Sequence, residues 1–295
     1  MPTTRPRKVH LGGIELAITM DRMLAERIKG LAPVRWLWGR PLPHPFRDGE
    51  PVLTGVALSD IEWYQTIDLG DGVVTPGFVD HRHQVDQYGF PESLEGKRCL
   101  DVATSDGFWA FEMERRGAAE VVAIDVHSWA DGEFPANWME EILSSRPNDI
   151  KGLGFAYARR ALQSNVKREV LSVHEVSPER IGTFDFVFSS DILLHLRDPL
   201  RALEALWTVT AGEIIIADAY DADLDATGET GALRLQVGLD DFAGCCWWRP
   251  TPSALEWMIR LARFQEVERI AQFNLKAKPG FEVPKVVFRA RGGKE

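Results

Sequence analysis

From residue 97 onward, short apolar runs of strand length alternate with helical stretches, and this rhythm constrains the fold more than any other feature. Residues 98–103 read as a first strand with a helix after it to about Arg116, and residues 121–125 read as a second strand. Candidate helices over 136–145 and 152–162 lead to a third strand over 167–173 and a fourth over 184–189. A helix over 198–208, a fifth strand over 213–219, a helix over 253–263 and two closing strands over 266–273 and 283–291 complete the series. Parallel strands need crossover connections that pass over a face of the sheet, so this alternation predicts an open sheet with helices on both faces. The expected architecture is α/β: a Rossmann-like, mostly parallel, seven-stranded sheet in residues 96–295, preceded by an extension over 1–95.

The extension has its own signals. Met20 to Gly30 has the pattern of an amphipathic helix closed by glycine, and WLWGRPLPHPF is too rich in proline and aromatics to be regular. Trp63 to Gly77, with alternating apolar residues around a Gly-Asp-Gly turn, predicts a short hairpin; DHRHQVDQYG predicts a brief helix. Such an extension either packs on the main core or forms a lid over a pocket.

Composition narrows the partners. The 295 residues hold no apolar run of membrane-spanning length, and the first ten lack the apolar stretch of a secretory signal, so a cytoplasmic protein with no membrane partner is expected. Cys99, Cys245 and Cys246 form neither a disulfide framework nor a zinc-like spacing, which predicts a reduced, metal-free interior. The net charge is −10, and many of the cations fall early (Arg5, Arg7, Lys8, Arg22, Arg27, Lys29, Arg35, Arg40). A basic N-terminal face remains able to meet an anion, but bulk affinity for nucleic acid is disfavoured.

In sheets of this kind ligands bind beyond the carboxyl ends of the strands, where strand order reverses. The first strand ends in DVATSDG, with small residues Ala103, Ser105 and Gly107 at alternate positions. Small residues there let the backbone approach a ligand. Asp101 at the strand end suits an ammonium group, and Asp125 at the end of the second strand suits a ribose diol. No G-x-G-x-x-G is present, which disfavours a nicotinamide cofactor.

The run from Asp101 to Gly107 resembles motif I of class I S-adenosylmethionine (SAM)-dependent methyltransferases, usually E/D-x-G-x-G-x-G, with Ala103 and Ser105 in place of two glycines. FDFVFSSDILLHLRDPLRALEAL, from Phe184 to Leu206, looks like motif IV of that superfamily. LLHLRDPLRAL within it resembles the wobble-uridine tRNA modification methyltransferases and their bacterial relatives, as do WYQTIDLGDGVVTPG, WWRPT and KVVFRAR. The resemblance covers roughly residues 60–291 and implies SAM as cofactor. It implies that Asp101 and the backbone of Ala103, Ser105 and Gly107 hold the methionine portion. Asp125 with Val126 would hold the ribose, Ser172 and Val173 border the adenine, and Ser189 lie beside the sulfonium.

Methyl transfer requires alignment of acceptor, methyl and sulfur, exclusion of water and, for some acceptors, removal of a proton. Asp191 and His195 follow the fourth strand and are the nearest polar candidates; His195 serves equally well as a base or as a structural residue bonded to a loop carbonyl. Glu169 in the third strand is a further candidate base if it faces inward, near His174 and Glu175. His81 and His83 without a matched carboxylate are a weak metal pair, and Arg82 with His83 better suits an acidic group. Tyr64, Trp247, Trp248 and Arg249 are candidate acceptor contacts, the two indoles as an aromatic wall. Three functions compete: methylation of a small molecule, as in specialised metabolism; modification of tRNA; or SAM binding without catalysis. Homo-oligomerisation stays open.

Overall fold

The computed structural model describes residues 7–11, 14–18, 53, 55–145, 151–236, 245–277 and 282–292. The first two segments form an antiparallel ribbon of β1 (Arg7–Leu11) and β2 (Ile14–Ile18), with Leu11 opposite Ile14. The helix expected over Met20 to Gly30 and the WLWGRPLPHPF stretch lie outside the described residues.

Alternating apolar runs build the main sheet from β3 (Arg98–Val102), β4 (Glu120–Asp125), β5 (Lys167–Val170), β6 (Phe184–Ser190) and β7 (Thr210–Ala219). A small ribbon follows, β8 (Leu233–Leu235) with β9 (Trp248–Pro250), and then β10 (Gln265–Lys276) and β11 (Glu282–Arg291) join the sheet. The order is β10-β11-β7-β6-β3-β4-β5. β3 to β7 pair in parallel, and β11 runs antiparallel to both of its neighbours. The seven-stranded, mostly parallel α/β sheet read from the sequence is therefore the observed one.

Strand side chains alternate between faces, and the two faces recruit different helices. Leu100, Val102, Val122 and Ile124 join a core with Leu203 of the Pro199–Val209 helix and Ile259 of the Pro252–Leu261 helix. Cys99, Val121, Ala123, Phe186 and Phe188 pack on the other face with Met113 of the Phe108–Arg115 helix and Phe155 of the Leu153–Ala161 helix. Ile61, Trp63, Ile67, Tyr88 and Leu94 belong to this second core, so residues 61–94 are built into the same compact unit as the sheet. Two helices start on the signal that ends an extended approach: Asp198 and Thr251 accept backbone N–H bonds from Arg201 and Ala254, each followed by proline at the first helical position.

Some boundaries differ from the sequence reading. The third strand stops at Val170, because the Ser172 hydroxyl accepts the N–H of His174 and opens a 3-10 turn over Val173–Glu175. The expected hairpin over Trp63 to Gly77 is a turn at Gly70–Gly72 with isolated bridges, Asp68 to Val74 antiparallel and Gln65 to Val79 parallel. DHRHQVDQYG contains a 3-10 turn, Val85–Tyr88, ended by Gly89 in the left-handed region. Among the described residues no helix is long and apolar enough to cross a membrane.

The parallel bridge demands a close backbone approach at Gly77, where an added Cβ would lie 2.2 Å from the Gln65 carbonyl carbon and the Thr66 nitrogen. Neither of these atoms can rotate away. Gly77→Ala is expected to cost about 1–3 kcal/mol, read as a lower urea midpoint at unchanged m-value.

Candidate active site

The carboxyl ends of three strands lie level: Val102 of β3 pairs with Ile124 of β4 and with Ser189 of β6. Helices connecting β3, β4 and β5 pack on one face, whereas the helix after β6 packs on the other. Strand order thus reverses between β3 and β6, which opens a crevice there. Beyond Val102 the chain passes through Ala103, Ser105 and Gly107, all with positive φ (59°, 52° and 98°). The two non-glycine residues of the loop therefore hold the left-handed conformation that glycine adopts without strain.

Asp101 is buried, and its carboxylate accepts a 2.6 Å bond from the Thr104 hydroxyl. Burial pushes its pKa up to about 7. The Asp125 carboxylate accepts from the backbone N–H groups of Ser105 (3.0 Å) and Val126 (2.8 Å) and from Lys151 Nζ (2.7 Å). Burial would raise this group, but the nearby charges of Lys151 and Arg168 and the hydrogen bonds hold it below the ordinary carboxylate range. Leu171 N donates to the Asp125 carbonyl, which brings Ser172 and Val173 beside the end of β4. Val173 is buried in the core and the Ser172 hydroxyl is engaged by His174 N, so this border is formed by the turn as a whole.

Asp106, which the sequence reading passed over, ties the loop to the N-terminal segment. Its carboxylate accepts from Tyr64 N (2.7 Å) and Gln65 N (2.8 Å), and the Gln65 side-chain oxygen accepts from Phe108 N at the start of the helix. Burial raises Asp106 to about 6. Tyr64 thereby sits over the loop, stacked on Phe78, with its hydroxyl pushed upward by burial and by the cysteines Cys245 and Cys246.

After β6, Asp191 adopts φ 57°, donates its N–H to the Ala217 carbonyl (3.0 Å) and pairs with Lys285. Asp218, at the end of β7, accepts from Leu193 N and Ala219 N, and burial pushes it up to about 6. His195 is anchored: Nδ1 meets the Cys245 carbonyl at 2.8 Å and the ring is also hydrogen-bonded to the Cys246 thiol. Burial would depress this imidazole, yet those bonds carry it upward. With its ring so engaged, His195 holds the Cys245–Cys246 segment against the loop after β6.

The remaining candidates are exposed or already carry partners. Glu169 is exposed on β5, the edge strand, because its inward-facing neighbour is Arg168. Arg82 is paired with Asp80 and His83 is exposed; both line an open surface groove with Phe111, Glu112 and Arg115. The inward histidine is His81, 5.0 Å from the Trp109 ring and pushed down to about 3 by burial and then by the Lys285 charge. Trp247 and Trp248 spend their indole N–H groups on the carbonyls of Glu133 and Leu196, so they rivet the segment more than they form a free aromatic wall. Arg249 lies in β9 opposite Arg234, half-buried. Sequence spacing gave no metal pattern, but the fold gathers His195, Cys245 and Cys246 with donor atoms within 4.8 Å of one another. The Cys245 thiol and burial raise the Cys246 thiol well above its ordinary value, and the three side chains form a hydrogen-bonded unit.

A family model described as a methyltransferase domain matches residues 82–268, more than half of the chain. The chain belongs to the class I SAM-dependent methyltransferases. This methyltransferase is 28% identical to the tRNA U34 carboxymethyltransferase of Pseudomonas aeruginosa over 176 residues, 59% of this chain and 46% of the relative. It is 23% identical to that of Methylococcus capsulatus over 240 residues, 77% of this chain and 58% of the relative. The methyltransferase thus spans about half the length of the curated relatives it matches. The crystal structure of the N-terminal domain of EvdMO1 with S-adenosylhomocysteine (SAH) shares its fold: TM-score 0.52, 18% identity, 78% of this chain and 91% of that one.

The family's cofactor fits the residues present. The Ser189 hydroxyl is buried at the end of β6 without a hydrogen-bond partner among the described residues, and the left-handed loop leaves no side chain longer than serine at Ala103 and Ser105. At Gly107 an added Cβ would meet the Phe111 and Phe155 rings at 2.6 Å, on top of a left-handed φ. Gly107→Ala is therefore expected to cost about 2 kcal/mol or more in stability. Ala103→Gly should shift stability by less than about 1 kcal/mol, because relieved strain offsets the added freedom of the unfolded chain. Thermal unfolding of the two variants separates these outcomes.

Proposed function

We propose that this methyltransferase moves the methyl group of SAM to a small-molecule acceptor. The observation that carries this reading is the surplus of carboxyl groups over cations in the crevice: Asp101, Asp106, Asp125, Asp191 and Asp218 lie at the strand ends, with Lys151 and Arg168 beside Asp125 and Lys285 beside Asp191. Such a field favours a cofactor with an ammonium and a sulfonium and opposes the close approach of a polyanion. The net charge of −10 supports the same preference.

In this reading Asp101 takes the cofactor ammonium, and the backbone of Ala103, Ser105 and Gly107 passes along the methionine portion. Asp125 with Val126 takes the ribose, Ser172 and Val173 border the adenine, and Ser189 lies toward the sulfonium. SAM supplies an activated methyl group on a good leaving group. The chain supplies alignment and a dry site, with residues 63–88 of the N-terminal extension closing one side through the Asp106 contacts. Tyr64 and the adjoining Cys245–Cys246 segment form the acceptor-side wall in this reading. A cytoplasmic location and a homo-oligomeric state are compatible with this reading and are not required by it.

The curated relatives motivate a tRNA acceptor as the competing reading. Incubation with methyl-labelled SAM, separately with total tRNA and with a low-molecular-weight metabolite extract, distinguishes the two. Label in the small-molecule fraction alone is expected; label in tRNA alone would overturn the acceptor class.

Calorimetry with SAH tests the cofactor placement. Asp125→Ala should weaken binding about ten-fold or more, since a charge-assisted pair of hydrogen bonds is lost. In the parent, the Asp101 carboxyl titrates at about 7, so the ionised form that an ammonium needs is depleted below that pH. Between pH 7.5 and 6, where the ligand ammonium stays protonated, SAH affinity should fall roughly eight-fold. Affinity that ignored both Asp125 and pH would displace the cofactor from this loop.

A further inference from the structure

We infer that Asp191 meets the methyl acceptor and that Lys285 is the residue that positions it, which makes the acceptor a nucleophile bearing a proton, a hydroxyl or an amine. This rests on the SAM reading above and deepens it. The placement follows from register. Val102 is level with Ser189, and Asp191 follows two residues further on, just past the carboxyl end of β6, on the side where strand order reverses beside the cofactor loop that leaves β3. Ligands of open α/β sheets collect there.

Asp191 shares its backbone conformation with Ala103 and Ser105 of the cofactor loop. Its φ of 57° is left-handed for a non-glycine residue, and its N–H is pinned to the Ala217 carbonyl of the neighbouring strand. Strained backbone of this kind persists where the surrounding structure enforces it. The side chain is held from two sides, by the Ser190 hydroxyl at 3.2 Å and by Lys285.

Lys285 lies behind Asp191. It sits on β11 opposite Ala219, the last residue of β7, so its ammonium reaches the carboxyl-end edge of the parallel strands. Its side chain is 1% exposed against 22% for Asp191, which leaves the carboxylate as the face that a ligand meets. The other titratable group against Lys285 is His81, buried and neutral, with Nδ1 3.3 Å from the Tyr88 hydroxyl. A buried amine held against a single carboxylate fixes that carboxylate in place. Burial pulls Lys285 itself down to about 7. His195, by contrast, has its ring bonded to Cys245 and Cys246.

The chemistry is balanced by one proton. A lone pair of the acceptor forms a bond to the methyl carbon while the carbon–sulfur bond breaks and leaves its electron pair on sulfur. The acceptor's proton passes to the Asp191 carboxylate, and Lys285 keeps that oxygen turned to receive it.

Two cofactor analogues test this on the full chain without a known acceptor. SAH carries nothing at the methyl position; sinefungin carries an ammonium there. Calorimetry on the parent should give sinefungin an advantage of about ten-fold over SAH, the worth of one charge-assisted hydrogen bond. Asp191→Asn, at a partly exposed position, should bring the two affinities to within about two-fold of each other while SAH binding holds. Lys285→Met should lower the sinefungin advantage in the native background and have no effect in the Asp191→Asn background, and Lys285→Arg should restore it. An unchanged advantage in Asp191→Asn overturns the inference. So does a Lys285→Met protein that loses thermal stability while its advantage stays intact. A parent that bound neither analogue would remove the SAM reading, whereas SAH binding with an advantage indifferent to Asp191 removes the inference alone.

Discussion

The central strand β3 is hydrogen-bonded on both sides, to β4 and to β6, and the polar groups of the crevice hang from that double ladder. Parallel registers set by backbone bonds bring Val102, Ile124 and Ser189 level. Asp101, Asp125 and Asp191 therefore lie at or just beyond the same ends of the parallel strands although as many as 90 residues separate them. A slip of one residue in either ladder would send its apolar side chains to the wrong core and its site residue to the wrong face. Burial of Leu100 and Val102 on one side, and of Cys99 on the other, is what enforces the register.

Crowding acid groups at the strand ends carries an electrostatic cost that the structure distributes unevenly. Asp125 has Lys151 and two backbone donors, and it stays ionised. Asp101 has hydrogen bonds alone, Asp106 and Asp218 add the lesser charges of Lys151 and His195, and burial drives each upward. A cation entering the crevice would relieve that burial penalty. The same groups do structural work meanwhile: Asp106 binds residues 64 and 65 to the cofactor loop, and Asp218 holds the turn after β6.

Runs such as EVVAID and FDFVFSS were legible because β-branched and aromatic residues in fully buried strands leave little ambiguity of type or position. The helix beginning at Pro199 was equally plain from its Asp-Pro start. Local hydrogen bonds defeated the reading elsewhere. The Ser172 hydroxyl ended β5 early, and the 63–79 segment spent its backbone groups on the cofactor loop instead of closing a hairpin. His81 and His83 show the limit for side chains. Alternation says that they face opposite ways to Arg82 in an extended run, but here the chain bends, so that His81 is buried and His83 exposed.

What the sequence determined by itself was the sheet, its helices and the positions of the strand-end carboxylates Asp101 and Asp125, because periodicity and strand ends are local properties of the chain. Tertiary structure alone decided the partners of those groups. Lys285 reads in sequence as one polar residue in a strand, and only the antiparallel return of β11 beside β7 sets it behind Asp191. Cys245 and Cys246 show no ligand spacing, and only the Trp247 and Trp248 anchors bring them to His195. The physical reason is common to both: long-range pairing places side chains by sheet register and packing, and neither is written in the spacing of nearby residues.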